Sequence, residues 1–212
     1  MSAVDFASLL CSRLCHDLVG PVGAIFNGVE LLADEQDPDM RARCVELLAD
    51  SARLTANKLK FFRLAFGAAG GFGEQVDARE AHAAVLGLFG PERRIEVAWM
   101  IGSAALPKQA VKLLLNLAML AGDSLLRGGK LSIAAEGEQI LQIAVRAEGP
   151  RLLLDNELRA ALGGDSRVGQ LTPRAAVAYL VSALLMEAGG HLRISDPDDA
   201  ILVFGASLPL RI

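Results

Sequence analysis

The chain has 212 residues, 52% of them apolar, and a formal net charge of −4. That length leaves room for one or two domains with their own cores, and the balance is that of a soluble globular protein, which excludes a nucleic-acid binder built on a basic surface. Three cysteines, an odd number, argue against a disulfide framework and for a reducing cytoplasm.

Met1-Ser-Ala-Val-Asp-Phe6 has no basic region and runs straight into helix, so no signal peptide is expected. The first helix is predicted from about Asp5 to Ala33, with Leu10, Leu14, Leu18, Val22, Ile25, Val29 and Leu32 forming one apolar face. Asp37 can cap a second helix that has Pro38 at its first position. That helix, Met40 to Phe66, carries Val45, Leu48, Leu59, Phe62 and Phe66 on one side and Leu47, Leu54 and Phe61 on others. So short a loop makes the two helices antiparallel, and a lone hairpin cannot cover apolar residues on two faces, so pairing of two chains into a four-helix bundle is expected. From Ser51 to Gly73 there is no acidic residue, while Arg53, Lys58, Lys60 and Arg63 are present. Such a half-helix could attract an acidic partner or a phosphoryl group, or be a solvated face.

Gly67-Ala-Ala-Gly-Gly-Phe-Gly73 is the clearest linker, dividing a helical hairpin (residues 1–68) from a second domain (residues 74–212). Beyond it, Asp77 to Phe89 reads as helix, Arg94 to Ile101 as strand and Pro107 to Leu126 as a long apolar helix. The most apolar run, Val111 to Leu126, is interrupted by Lys112, Asn116 and Asp123 and is not a membrane span. Lys130 to Ala135 and Gln139 to Val145 form a predicted hairpin, Pro173 to Glu187 a helix, and His191 to Ser195 with Ile201 to Leu208 a closing hairpin. Helices alternating with antiparallel strand pairs define an α+β class with a two-layer α/β sandwich as the second domain.

His16 lies between Leu14 and Leu18, opposite the apolar face, and is expected on the solvent side. Its neighbours at helical spacing are Ser12, Arg13, Val19, Gly20 and Gly23. Each glycine costs the helix about 1 kcal/mol, and Pro21 cannot donate to the carbonyl of Asp17 and should bend the helix. Bare backbone beside an exposed imidazole lets another surface come close, although an ordinary exposed histidine on a poor helix has the same pattern. Cys11 and Cys15 invite a metal reading, but Cys15 and His16 diverge by about 100° around a helix. No fourth ligand lies nearby, so no metal site is expected. His82 and His191 read as structural.

Two stretches carry a resemblance. His16-Asp-Leu-Val-Gly-Pro21 resembles the phosphoacceptor box of sensor histidine kinases, and Leu113-Leu-Leu-Asn-Leu-Ala-Met-Leu-Ala121 followed by Gly128-Gly-Lys-Leu-Ser-Ile133 looks like the helix and strand of their ATP-binding domain. The departures are specific. Where those kinases place a second asparagine for magnesium, Leu120 stands; Ala147 replaces the aspartate that reads adenine, and Arg151 a glycine. Val168-Gly-Gln-Leu-Thr-Pro-Arg174 holds only Gly169 where a glycine-rich lid would fall. A nucleotide site without these groups lacks its electrostatic parts, so no ATP is expected.

A kinase-shaped chain without a nucleotide site is similar to the ChpT-type histidine phosphotransferases of alphaproteobacteria. That resemblance implies a cytoplasmic homodimer that takes a phosphoryl group from the receiver domain of a CckA-like hybrid kinase. It would pass the group to CtrA-like and CpdR-like response regulators, without binding membrane or nucleic acid. His16 and Asp17 would be catalytic. Ser12, Arg13, Val19, Gly20, Gly23, Lys58 and Lys60 would meet the partner, whose receiver would supply Mg2+. Two other readings fit the same residues: an ATP-dependent histidine kinase core, which would bind nucleotide, and a non-enzymatic dimeric docking module for receivers.

Overall fold

The computed structural model describes residues 2–67, 74–89, 93–164, 171–197 and 199–210. Two long helices come first. In α1 (Ala3–Asp34) the Ser2 hydroxyl accepts from the Asp5 N–H while the Asp5 carboxylate accepts from the Ser2 N–H, a reciprocal cap. In α2 (Pro38–Phe66) the Asp37 carboxylate accepts from the N–H groups of Asp39 and Met40, and Pro38 takes the first helical position. The loop between them forces the antiparallel hairpin expected from the sequence.

The apolar face of α1 differs from the expected one. Leu14, Leu18, Ile25 and Leu32 are partly buried, but Val22 and Val29 are exposed, and Pro21 and Gly28 are the buried residues. Gly28 explains the shift, because a β-carbon there would stand 2.9 Å from Leu48 Cδ2. The smallest residue brings the helices together and moves the inner face by about one position. Val19, Val22, Phe26 and Val29 are thereby left as a separate exposed seam at three- and four-residue steps.

The second domain begins with β1 (Gln75–Asp77), α3 (Ala78–Phe89), β2 (Ile95–Met100), β3 (Ala105–Pro107) and α4 (Lys108–Ser124). It continues with β4 (Gly129–Glu136), β5 (Ile140–Glu148), α5 (Asn156–Leu162), α6 (Pro173–Ala188), β6 (His191–Ile194) and β7 (Ile201–Pro209). Five strands form one sheet in the order β2-β4-β5-β7-β6, and β1 pairs with β3 in a separate two-stranded ribbon. Burial alternates along β5 and β7, with Leu141, Ile143, Val145, Ala147, Leu202, Phe204, Ala206 and Leu208 turned to the core. This is the α+β sandwich expected.

One pairing corrects the expectation of antiparallel pairs alone. β2 runs parallel to β4, with Val97 opposite Leu131, because α4 carries the chain back across the sheet between them. α4 is apolar nearly all round and therefore buried nearly all round. The last turns of α2 also enter this core: Phe61, Phe62, Leu64 and Ala65 are buried, and Phe62 stacks on Phe66 with ring centroids 5.3 Å apart. The hairpin is thus joined to the sandwich by packed side chains. Of the linker expected at 67–73, only Gly67 falls within the described residues.

Candidate functional site

The imidazole of His16 is 84% exposed on α1. Its Nδ1 lies 3.1 Å from Asp17 Oδ1. A carboxylate only accepts, so in this contact Nδ1 is the nitrogen placed to donate. Ser12 and Gly20 are exposed and Gly23 half-buried, and a β-carbon at Gly20 or Gly23 would meet nothing within 4 Å. Val19 is 69% exposed, so the outer apolar seam starts next to the histidine.

Arg13 is placed differently from its sequence expectation. It is not on the solvent face: its side chain is only 12% exposed, turned toward the second domain. There Nε donates to Asp17 Oδ2 at 2.8 Å and one terminal nitrogen donates to Asp123 Oδ2 at 2.7 Å. Asp123, near the end of α4, also accepts from Arg93 at 3.0 Å. Burial works against the charge on Arg13, but Asp123 and then Asp17 outweigh it and hold the guanidinium above its ordinary range. A cleft of about 720 Å³ lined by Arg93, Arg94, Asp123 and Arg127 borders this junction. Asp123 and Arg93 were missed from sequence. For Asp123 the signal was a carboxylate within the apolar run from Val111 to Leu126.

Lys58 is half-buried, and its Nζ donates to the backbone carbonyl of Asp17 at 2.7 Å. In an unbroken helix that carbonyl would accept from residue 21, but Pro21 has no N–H. The second helix therefore supplies the donor that the first one lacks. Burial is the largest influence on Lys58 and, with Arg93 and Arg13 nearby, depresses its ammonium pKa despite Asp17 and Asp123. Lys60 is exposed, beside Asn57, Arg63 and Glu80. Arg53 lies 3.3 Å from Asp50 and Arg63 3.2 Å from Glu80, so part of the basic run is neutralised locally.

The residues that resemble a nucleotide site lie in the core of the second domain. Asn116 is fully buried, and its Nδ2 donates to the carbonyls of Ala65, at 3.0 Å, and Lys112, at 2.8 Å. The amide thus bolts α2 to α4. Leu120 and Ala147 are buried apolar core. The expected lid residues Val168, Gly169 and Gln170 lie outside the described residues. Among the described residues no group of three or more His, Cys, Asp or Glu side chains is placed to hold a metal. His82 stacks on Trp99 with ring centroids 4.8 Å apart, and His191 is an exposed residue at the start of β6.

These features define a class: a helical hairpin that presents an exposed, carboxylate-paired histidine, joined to an α+β sandwich. Residues 78–200 match the family model of the histidine phosphotransferase C-terminal domain, and the chain belongs to that family. It is similar to the protein phosphotransferase ChpT of Brucella abortus (strain 2308), at 44% identity over 138 residues. That match spans 65% of this chain and 64% of the relative, so the chain covers just under two thirds of it. A solved structure of a bacterial phosphotransferase superposes with a TM-score of 0.84 at 32% identity, covering 97% of both chains.

Proposed function

We propose that this protein is a histidine phosphotransferase of a phosphorelay, with His16 as the residue that carries the phosphoryl group. The observation that carries the reading is the presentation of His16: an exposed ring, Nδ1 engaged by Asp17, Nε2 open, and bare glycine backbone beside it. A partner receiver bearing an aspartyl phosphate can approach over Gly20 and Gly23. The Nε2 lone pair attacks phosphorus in line, the N–P bond forms, and the P–O bond electrons return to the receiver's aspartate. The ring then carries positive charge shared between its nitrogens, and the Asp17 carboxylate balances it. Donation to a second receiver is the reverse. The receiver supplies the Mg2+ that offsets phosphoryl charge.

The second domain does not take ATP in this reading. Asn116 is fully buried, held by its N–H groups on two backbone carbonyls with its Oδ1 enclosed in the core, and Leu120 offers no oxygen for magnesium. The runner-up, an ATP-dependent kinase core, needs both groups.

The active species is a homodimer. A single protomer leaves Val19, Val22, Phe26 and Val29 on α1, and Met40, Val45, Leu47 and Leu59 on α2, open to water. α1 has the length and mean hydropathy, 1.3, of a membrane span. Its partly buried Arg13–Asp17 pair and its packing on α2 favour a bundle in the cytoplasm instead. The partners inferred are a CckA-like hybrid-kinase receiver upstream and CtrA-like and CpdR-like regulators downstream.

Incubation with a receiver domain labelled on its aspartate tests this. Acid-labile label should move to the chain in the absence of ATP. Stable binding with no transfer would favour a docking module, and label acquired only from Mg2+-ATP would favour a kinase.

A further inference from the structure

The ion-pair chain behind His16 starts in the other domain. Arg93 donates to Asp123 Oδ1, Arg13 donates to Asp123 Oδ2 and to Asp17 Oδ2, and Asp17 Oδ1 faces His16 Nδ1, all at 2.7 to 3.1 Å. The ring is almost fully exposed, whereas Arg13 and Asp123 are each 12% exposed and Asp17 is 18% exposed. The anchors are therefore fixed and dry, and the group they support is wet. A carboxylate one residue from an exposed imidazole would otherwise sample several rotamers. Arg13 holds it by one oxygen and leaves the other directed at Nδ1. The fork geometry of a guanidinium suits this task, since it can bind two carboxylates in fixed directions at once.

We propose that Arg13 and Asp123 are positioning residues for the phosphoryl-transfer step: through Asp17 they hold His16 as the Nδ1–H tautomer, so that Nε2 is the nucleophile. The proposal rests on His16 as the phosphoacceptor. A free imidazole in water favours the opposite tautomer, with hydrogen on Nε2 and that nitrogen's lone pair occupied. A carboxylate fixed on Nδ1 inverts the preference. It gives the sandwich domain a role at the histidine that needs no nucleotide, because Asp123 and Arg93 belong to that domain and Asp17 to the hairpin. A shift of one domain against the other would break the chain at Arg13–Asp123 and release the tautomer.

The test uses the full chain. Nitrogen-15 NMR of unphosphorylated protein reads the His16 tautomer directly, and phosphoramidate serves as a small phosphodonor that needs no docking surface. In that reaction Nε2 forms the N–P bond, the P–N bond of phosphoramidate breaks, and ammonia leaves. Wild type should show Nδ1–H as the major neutral form and give the Nε2-phosphorylated isomer. Arg13→Gln and Asp123→Ala should shift the population toward Nε2–H and slow labelling by roughly three- to tenfold, the size expected of one charge-assisted hydrogen bond at an exposed site. Asp123→Asn, which keeps an acceptor for Arg13, should restore most of the wild-type tautomer. A simple loss of packing would lower melting temperature without moving the tautomer. Nε2–H as the major form in wild type would overturn the proposal, even if a variant failed to fold. An unchanged tautomer and labelling rate in folded Arg13→Gln would do the same. Neither result would bear on whether His16 takes phosphate, which its replacement tests separately.

Discussion

Lys58 Nζ donates to the carbonyl of Asp17 at 2.7 Å, the carbonyl that Pro21 leaves without a helical partner. The pair is a matched defect and repair placed one residue from His16. Lys58→Met should leave that carbonyl unsatisfied at a half-buried site and cost about 1–3 kcal/mol. Pro21→Ala supplies an N–H at residue 21 that closes the helix, so the double variant should lose much less than Lys58→Met alone. The cycle should give a coupling of about 0.5–3 kcal/mol. Strict additivity in urea denaturation would show that the two residues act separately.

The same lysine fixes the sign of a pH effect. Its folded-state pKa lies below the unfolded value, so folding favours release of its proton. Between the depressed value and the ordinary value of 10.5 the unfolded chain holds more protons, and stability from this group rises with pH. The stability difference between wild type and Lys58→Met should therefore widen in favour of wild type through the alkaline range. A gap that narrows there would contradict the assignment.

Much of this arrangement was legible in the sequence. The capping residues Asp37 and Pro38, the apolar spacing and the exposure of His16 follow from local rules, and so does most of the sandwich. The parallel β2–β4 pair, the β1–β3 ribbon and α5 were not read. A three-residue strand has no periodicity to detect, although Asp155, which caps α5 by accepting from the Leu158 N–H, was a usable signal. The junction at Arg13 was out of reach. Its second carboxylate is 110 residues away, and helical spacing alone puts Arg13 beside His16 on the open face. The inner face of α1 was misplaced for a related reason: apolar counting gives Gly28 no weight, yet its lack of a side chain sets the helix contact.

Gly28 and Gly20 should behave oppositely when enlarged. Gly28→Leu forces the new side chain into Leu48 and should destabilise the hairpin by about 1–3 kcal/mol through overpacking. At Gly20 there is open space, and leucine improves helix propensity by nearly 1 kcal/mol. Gly20→Leu should hold or raise the melting temperature, block transfer from a receiver, and leave labelling by phosphoramidate intact. Unimpaired receiver transfer would show that this backbone is not the approach surface.

The outer seam predicts the oligomeric state. Phe26 is 62% and Val22 49% exposed in one protomer. Wild type should run as a dimer in light scattering, and Val22→Asp with Phe26→Asp should shift it to monomer by placing carboxylates in the apolar contact. A monomeric wild type would leave the seam without its proposed occupant.

Lys60, exposed and without an ion-pair partner among the described residues, is placed to steer an acidic receiver. Lys60→Glu should slow association and flatten its dependence on salt while leaving the dimer intact. Association rates indifferent to both the substitution and ionic strength would return Lys60 to an ordinary solvated face.

Label transfer from a phosphorylated receiver to single-histidine variants shows whether His16 carries the phosphoryl group, as proposed. His16→Ala should abolish both receipt and donation with the dimer and melting temperature almost unchanged, because an exposed side chain has little burial to lose. His82→Ala and His191→Ala should still transfer. Acid-labile label appearing on the His16→Ala chain at the wild-type level would place the phosphoryl group on another residue and contradict the role proposed for His16.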